Sequence, residues 1–68
     1  MTDLDRLLFW IINLPPHIGT VRMRPDKIDR LLAGKRQSYL EAELSGSGRA
    51  CGFFEHDHHE FFEFRKVQ

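Results

Sequence analysis

A single cysteine, Cys51, in a chain of 68 residues removes the two devices that most often hold so short a protein together. No internal disulfide can close, and no repeated cysteine spacing offers a structural zinc. A domain of this size buries only about 60% of the surface its unfolded chain exposes. Cohesion must therefore come from apolar packing, from pairing with a second copy, or from docking on a partner. A lone cysteine gives no sign of an oxidising compartment, so a cytoplasmic location is the expectation. The longest apolar run covers residues 7–12, far short of the roughly 20 residues that span a bilayer. Asp3 and Asp5 stand where a signal peptide carries basic residues. One domain over residues 1–68, without a membrane partner, is expected.

The first half of the chain has a helical period. Leu4, Leu7, Leu8, Ile11 and Ile12 follow the i, i+3, i+4, i+7, i+8 spacing of one apolar helix face, with Thr2 or Asp3 as cap. Phe9 and Trp10 fall off that face, so this helix is apolar nearly all round. It is either sandwiched between layers or turned toward another molecule. Pro15 and Pro16 end it. Residues 20–23 read as a short extended piece. A second helix starts at Pro25, carries Ile28, Leu31 and Leu32 as its buried stripe, and stops at Gly34.

From residue 37 the period becomes two. Leu40, Ala42 and Leu44 alternate with Tyr39, Glu41 and Glu43, which predicts a strand over residues 38–44. Ser45, Gly46, Ser47 and Gly48 read as a hairpin turn, residues 49–55 as a strand, residues 56–59 as a second turn and residues 60–67 as a third strand. Four-residue loops would pair Leu40 with Phe53, Phe53 with Phe62, Ala42 with Cys51 and Cys51 with Phe64. One face is then wholly apolar, and a one-residue slip would fill it with glutamates. The expected fold is α+β, two N-terminal helices packed on one face of a three-stranded antiparallel meander. The opposite face would hold Tyr39, Phe54 and Phe61 in a row, beside a trough at Gly52 and Ala50 flanked by Glu41, Glu43 and Glu63.

Chemistry-bearing clusters are few. His56, His58 and His59, with Asp57 between them and Cys51 nearby, invite a metal reading. Successive turn residues diverge, however, and a polar turn rich in histidine is the better account. Cys51 in an alternating apolar strand reads as a small core residue rather than a nucleophile. Glu41 and Glu63 form a carboxylate pair, yet so small a domain has little room for an enclosed pocket. Phosphate loops, nucleophile elbows and paired zinc-binding histidines are absent from the sequence. No catalytic residue, cofactor or metal is assigned, and a non-enzymatic protein is expected.

Net charge is zero, but residues 1–36 hold seven basic and four acidic residues, and residues 37–68 hold three basic and six acidic ones. Such asymmetry speaks of partners rather than of fold. The leading expectation is a protein-binding domain using Tyr39, Phe54, Phe61, Glu41, Glu43 and Glu63 against a basic surface. It would act as a regulator or inhibitor that covers part of a larger protein, the kind that phages and other mobile elements encode. Homodimerisation through that face is an alternative. A second expectation is nucleic-acid binding by Arg22, Arg24, Lys27, Arg30, Lys35 and Arg36 around helix 2, which with helix 1 has a loose helix-turn-helix outline. A histidine-based metal or pH sensor ranks third.

Overall fold

Thr2 and Asp5 start the first helix by capping each other. The Asp5 amide donates to Thr2 Oγ1 at 3.2 Å and the Thr2 amide to Asp5 Oδ2 at 3.1 Å, a reciprocal capping box. In the computed structural model, which describes residues 1–67, helix α1 runs Asp3–Ile12 and buries Leu4, Leu8 and Ile11. Strand β1 follows at Thr20–Met23 and helix α2 at Pro25–Leu32. Pro25 sits in the first turn of α2, where its missing donor costs nothing, and Ile28 and Leu32 face inward. Ala33 and Gly34 then take positive φ angles of 51° and 89° and end α2.

Helix α3 (Gln37–Leu44) comes next, then strands β2 (Arg49–His56) and β3 (His59–Lys66). The sheet is antiparallel with order β1-β3-β2, so β3 lies in the middle. Phe53 pairs with Phe62 and Cys51 with Phe64, the register expected from the apolar alternation. The hairpin turn is tighter than four residues. Asp57 and His58 alone form it, both with positive φ, and His56 pairs with His59. Two left-handed residues give the turn a twist that matches the flanking strands.

The α+β class and the three-stranded antiparallel sheet stand, and two particulars differ. Residues 38–44 form a helix, not a strand. Leu40 and Leu44 are four apart, so they share a helix face as readily as a strand face, and both are buried. Glu41, Ala42 and Glu43 favour helix and are poor in strands. The third strand is instead β1, paired with β3 so that Val21 meets Phe64 and Met23 meets Phe62. With α2 and α3 between β1 and β2, the sheet is not a simple meander. Ala42, expected inside, is exposed on α3, and Phe53 is exposed on an edge strand with its ring edge-on to Phe62.

All three helices cover one side of the sheet. Leu4, Leu8, Ile11, Ile28, Leu32, Leu40 and Leu44 close on Phe62 and Phe64. The least extent of the molecule is 17 Å, which leaves space for one helical layer on one sheet and nothing beyond. The loop after α1 is held down by Arg49, whose buried guanidinium donates to the carbonyls of Ile18 at 2.6 Å and Pro15 at 3.4 Å. The backbone amide of Lys66 donates to Gly19 O at 2.8 Å, so the same loop is tied to β3.

Ala33 adopts a left-handed conformation that a glycine takes without its Cβ penalty. Ala33→Gly should therefore stabilise the protein, or at least be neutral, with a gain of up to about 1 kcal/mol in urea unfolding. A loss of 1 kcal/mol or more would contradict the left-handed cap.

Candidate functional site

Alternation along three strands decides what the open side of the sheet presents. With Phe62 and Phe64 turned to the helices, Glu63 points the other way, opposite Arg22 on β1 and Gly52 on β2. One step along, Arg65 lies between Thr20 and Ala50. In the other direction Phe61 is beside Phe54, and His59 beside His56.

Glu63 is 0% exposed although no helix covers this side. Its cover is made of neighbouring side chains. Arg22 donates from Nε to Oε2 at 2.7 Å, and Arg65 from Nε to Oε1 at 2.8 Å. His56 Nε2 lies in ion-pair contact with Oε2, without an N–H aligned for a regular hydrogen bond, and is itself buried. Gly52 brings no side chain under this group. The Arg65 guanidinium carbon stands 3.4 Å from the centroid of the Phe54 ring, so the group is both stacked and ion-paired. Desolvation is the largest effect on the Glu63 carboxyl and pushes its pKa up. The hydrogen bonds from Arg22 and Arg65, with the close His56 contact, together outweigh it and hold the pKa at about 2.

Arg24 directly follows β1. With Pro25, Asp26, His59, Glu60 and Phe61 it lines a cleft of about 280 Å³ beside the aromatic row. The open sheet face is thus basic and aromatic, and its one central acid is sealed.

The expected acidic partner surface is accordingly not formed. Phe54 and Phe61 share a row as foreseen, but Tyr39, Glu41 and Glu43 belong to α3, whose Leu40 and Leu44 pack into the core on the other side of the sheet. Tyr39 is half-buried, with the Lys35 ammonium 4.2 Å from its ring centroid. Arg22 stands opposite Glu63 on the side of β3 where no strand was expected, and Glu41, expected beside Gly52, lies on α3. The basic set is divided as well. Arg22 and Arg24 go with the sheet, Lys27 and Arg30 are exposed on α2, and Lys35 and Arg36 lie in the turn before α3. Arg30 reaches Asp26 at 3.8 Å. The pair with a helix-turn-helix outline is α2 and α3, joined by residues 33–36 around Gly34, rather than α1 and α2.

His56 and His59 face each other across the hairpin while His58 occupies the turn. Among the described residues no three metal-ligating side chains come together. Burial pushes the Cys51 thiol up to about 11, and the Glu41 carboxylate adds to the rise. At neutral pH this group is a thiol, which is the poorly nucleophilic form.

A second surface lies on α1. Since the helices form one layer, the outward side of α1 has no cover, and Phe9 is 67%, Trp10 52% and Ile12 42% exposed. Of the two options the sequence raised, the single helical layer removes the sandwiched helix. The cluster on Glu63 was not foreseen. Its signal was the alternation of Arg22 and Arg24 in a segment read only as a short extended piece.

Glu63→Gln should cost about 1–3 kcal/mol at pH 7, the range for hydrogen bonds to a charged group. A carboxyl whose folded pKa is depressed adds stability above its ordinary value of 4.5 and loses it as pH falls toward about 2. Urea unfolding at stepped pH should therefore show wild type losing stability through that window, with a shallower acid limb in Glu63→Gln. Parallel acid limbs would show that the cover over Glu63 is not an energetic unit.

No protein-family model, no curated protein and no solved structure matches this chain, and the functional reading rests on its own residues.

Proposed function

We propose that this chain is a protein-binding module that docks the outward side of α1 into an apolar groove of a larger protein. The observation that carries this reading is the exposure of Phe9, Trp10 and Ile12 on one uncovered helix. Together they leave on the order of 300 Å² of apolar surface open, the size of patch that tends to mark an interaction site. Covering it is worth about 7 kcal/mol before the cost of association is subtracted. Between residues 6 and 13 only Arg6 is charged, so the complementary surface is apolar rather than basic. A helix laid in a groove uses anchors of this kind, and aromatic side chains commonly dominate such interfaces. Occupying a groove on a larger protein is how a chain without an assigned catalytic residue can regulate or inhibit it.

A second reading, nucleic-acid binding by the α2–turn–α3 pair, is favoured by one observation. Lys35 and Arg36 stand exposed at the start of α3, where a recognition helix meets phosphates. Glu41 and Glu43, exposed further along the same helix, oppose it, and it ranks below the first.

Trp10 is the only tryptophan, so its fluorescence reports on this surface alone. The tagged protein should retain one stoichiometric protein partner, identified by mass spectrometry. Adding that purified partner should shift Trp10 emission to shorter wavelength, and Phe9→Glu should abolish both effects while leaving the melting temperature within a few degrees. Retention of the partner by Phe9→Glu would remove α1 from the interface. Sedimentation as a dimer that Phe9→Glu dissociates would make the occupant a second copy of the chain.

A further inference from the structure

We propose that the open face of the sheet binds single-stranded nucleic acid, with phosphates on Arg22 and Arg65 and a base in the cleft beside Arg24 and Phe61. The site is distinct from α1 and meets the α2–turn–α3 pair only at the first turn of α2, Pro25 and Asp26, and it rests on how Glu63 is covered.

Each arginine spends its Nε on Glu63. Among the described residues, the terminal nitrogens of Arg22 and Arg65 have no hydrogen-bond partner. Each guanidinium thus keeps its two-nitrogen end, the fork that matches a phosphate bidentately. Both side chains are about half exposed, so the forks are open to a ligand. They are also already positioned, one by its ion pair and the other by its ion pair together with the Phe54 ring. A ligand therefore meets arginines whose conformational freedom is largely spent.

Charge favours the same class. Two arginines share one carboxylate, which leaves a positive excess at Arg22 and Arg65. The cleft beyond them holds Asp26 and Glu60 beside Arg24 and so suits an uncharged base rather than a phosphate. The shared carboxylate is sealed and offers no lone pair that could repel an incoming phosphate. Ala50 keeps its end of β2 low and exposed, whereas the Phe54 ring lies against Gly52, so a sugar–phosphate backbone can approach closely beside Ala50.

The cleft selects between kinds of nucleic acid. At about 280 Å³ it admits a flat ring, and Phe61 offers that ring an aromatic wall. Unpaired bases stack on aromatic side chains of open sheets. A duplex keeps its bases stacked inward and is read by an element that enters a groove, which a flat face cannot do. An unpaired strand is the occupant that uses both the forks and the cleft.

The test is fluorescence anisotropy of a labelled 12-nucleotide single strand, as oligo-dT and as oligo-U, titrated with the intact protein. Saturable binding is expected, weakening roughly sevenfold between 50 and 200 mM salt, as the two phosphate contacts on Arg22 and Arg65 would give. Arg24→Ala and Phe61→Leu should each weaken it at least fivefold at unchanged melting temperature. Arg22→Lys, which keeps the charge but loses the fork, should also weaken it. Amide shifts on adding the strand should centre on Gly52, Phe61 and Arg65. No binding by wild type at millimolar protein would overturn the proposal. So would binding that survives Arg24→Ala and Phe61→Leu but is lost in the Lys35→Ala, Arg36→Ala double variant, since the strand would then lie on α3. Adenosine monophosphate binding as tightly as the 12-mer would also overturn it, in favour of a free nucleotide.

Discussion

Everything in this small domain is arranged around a strand that is buried on both sides. β3 lies between β1 and β2, and three successive residues in it, Phe62, Glu63 and Phe64, have no exposed surface. For the phenylalanines the cause is ordinary, since the helices close on them. For Glu63 it is not, because a two-layer protein only 17 Å thick puts water on that side. The cover has to come from the strands themselves, and one residue from each supplies it: Arg22 from β1, Arg65 from β3 and His56 from β2. The ion-pair cluster thereby links all three strands across the face opposite the core. β1 is four residues long and would otherwise be held by its backbone pairing and two half-buried side chains, Val21 and Met23.

Much of this was legible in the sequence because it is periodic. The helical stripe of α1, the proline start of α2 and the apolar alternation that pairs Phe53 with Phe62 all depend on local spacing, and local spacing survives folding. Residues 38–44 were misread because Leu40 and Leu44, four apart, satisfy both periods, and Ala42 between them completed an alternation although the helix turns it to solvent. In so short a segment only composition separates helix from strand, and glutamate, alanine and glutamine point to helix. The consequence travelled to the site. Giving residues 38–44 to the sheet put Glu41 beside Gly52 and left no strand on the far side of residues 60–67, where Arg22 stands, and an aromatic basic face was read as an aromatic acidic one. Which strand pairs with which is a long-range fact, and the charge of a sheet face depends on it.

The exposed side of α1 follows from the same thinness. A chain of this size has too few apolar residues to build a second layer over its first helix. Leu4, Leu8 and Ile11 complete the core without help from Phe9 or Trp10. Intrinsic stability does not explain large aromatic side chains at these positions, because polar residues there would leave the core contacts unchanged. An account in terms of association does explain them, since aromatic area is effective only once it is covered.

Balanced totals conceal this organisation. Ten basic and ten acidic residues imply no preference for anions, yet charges in physiological salt act over about 8 Å, so placement matters more than the sum. Glutamates lie on α3 and toward the hairpin tip, while arginines gather on the open sheet around a carboxylate that water does not reach. Glu63 enters the total as one negative charge. Locally it does something different, because by taking the Nε of Arg22 and of Arg65 it fixes two guanidinium groups while leaving their outer ends free. Replacing it with an apolar residue would raise the positive charge of the face and at the same time loosen the groups that carry it. A buried acid can in this way make a surface better suited to bind anions.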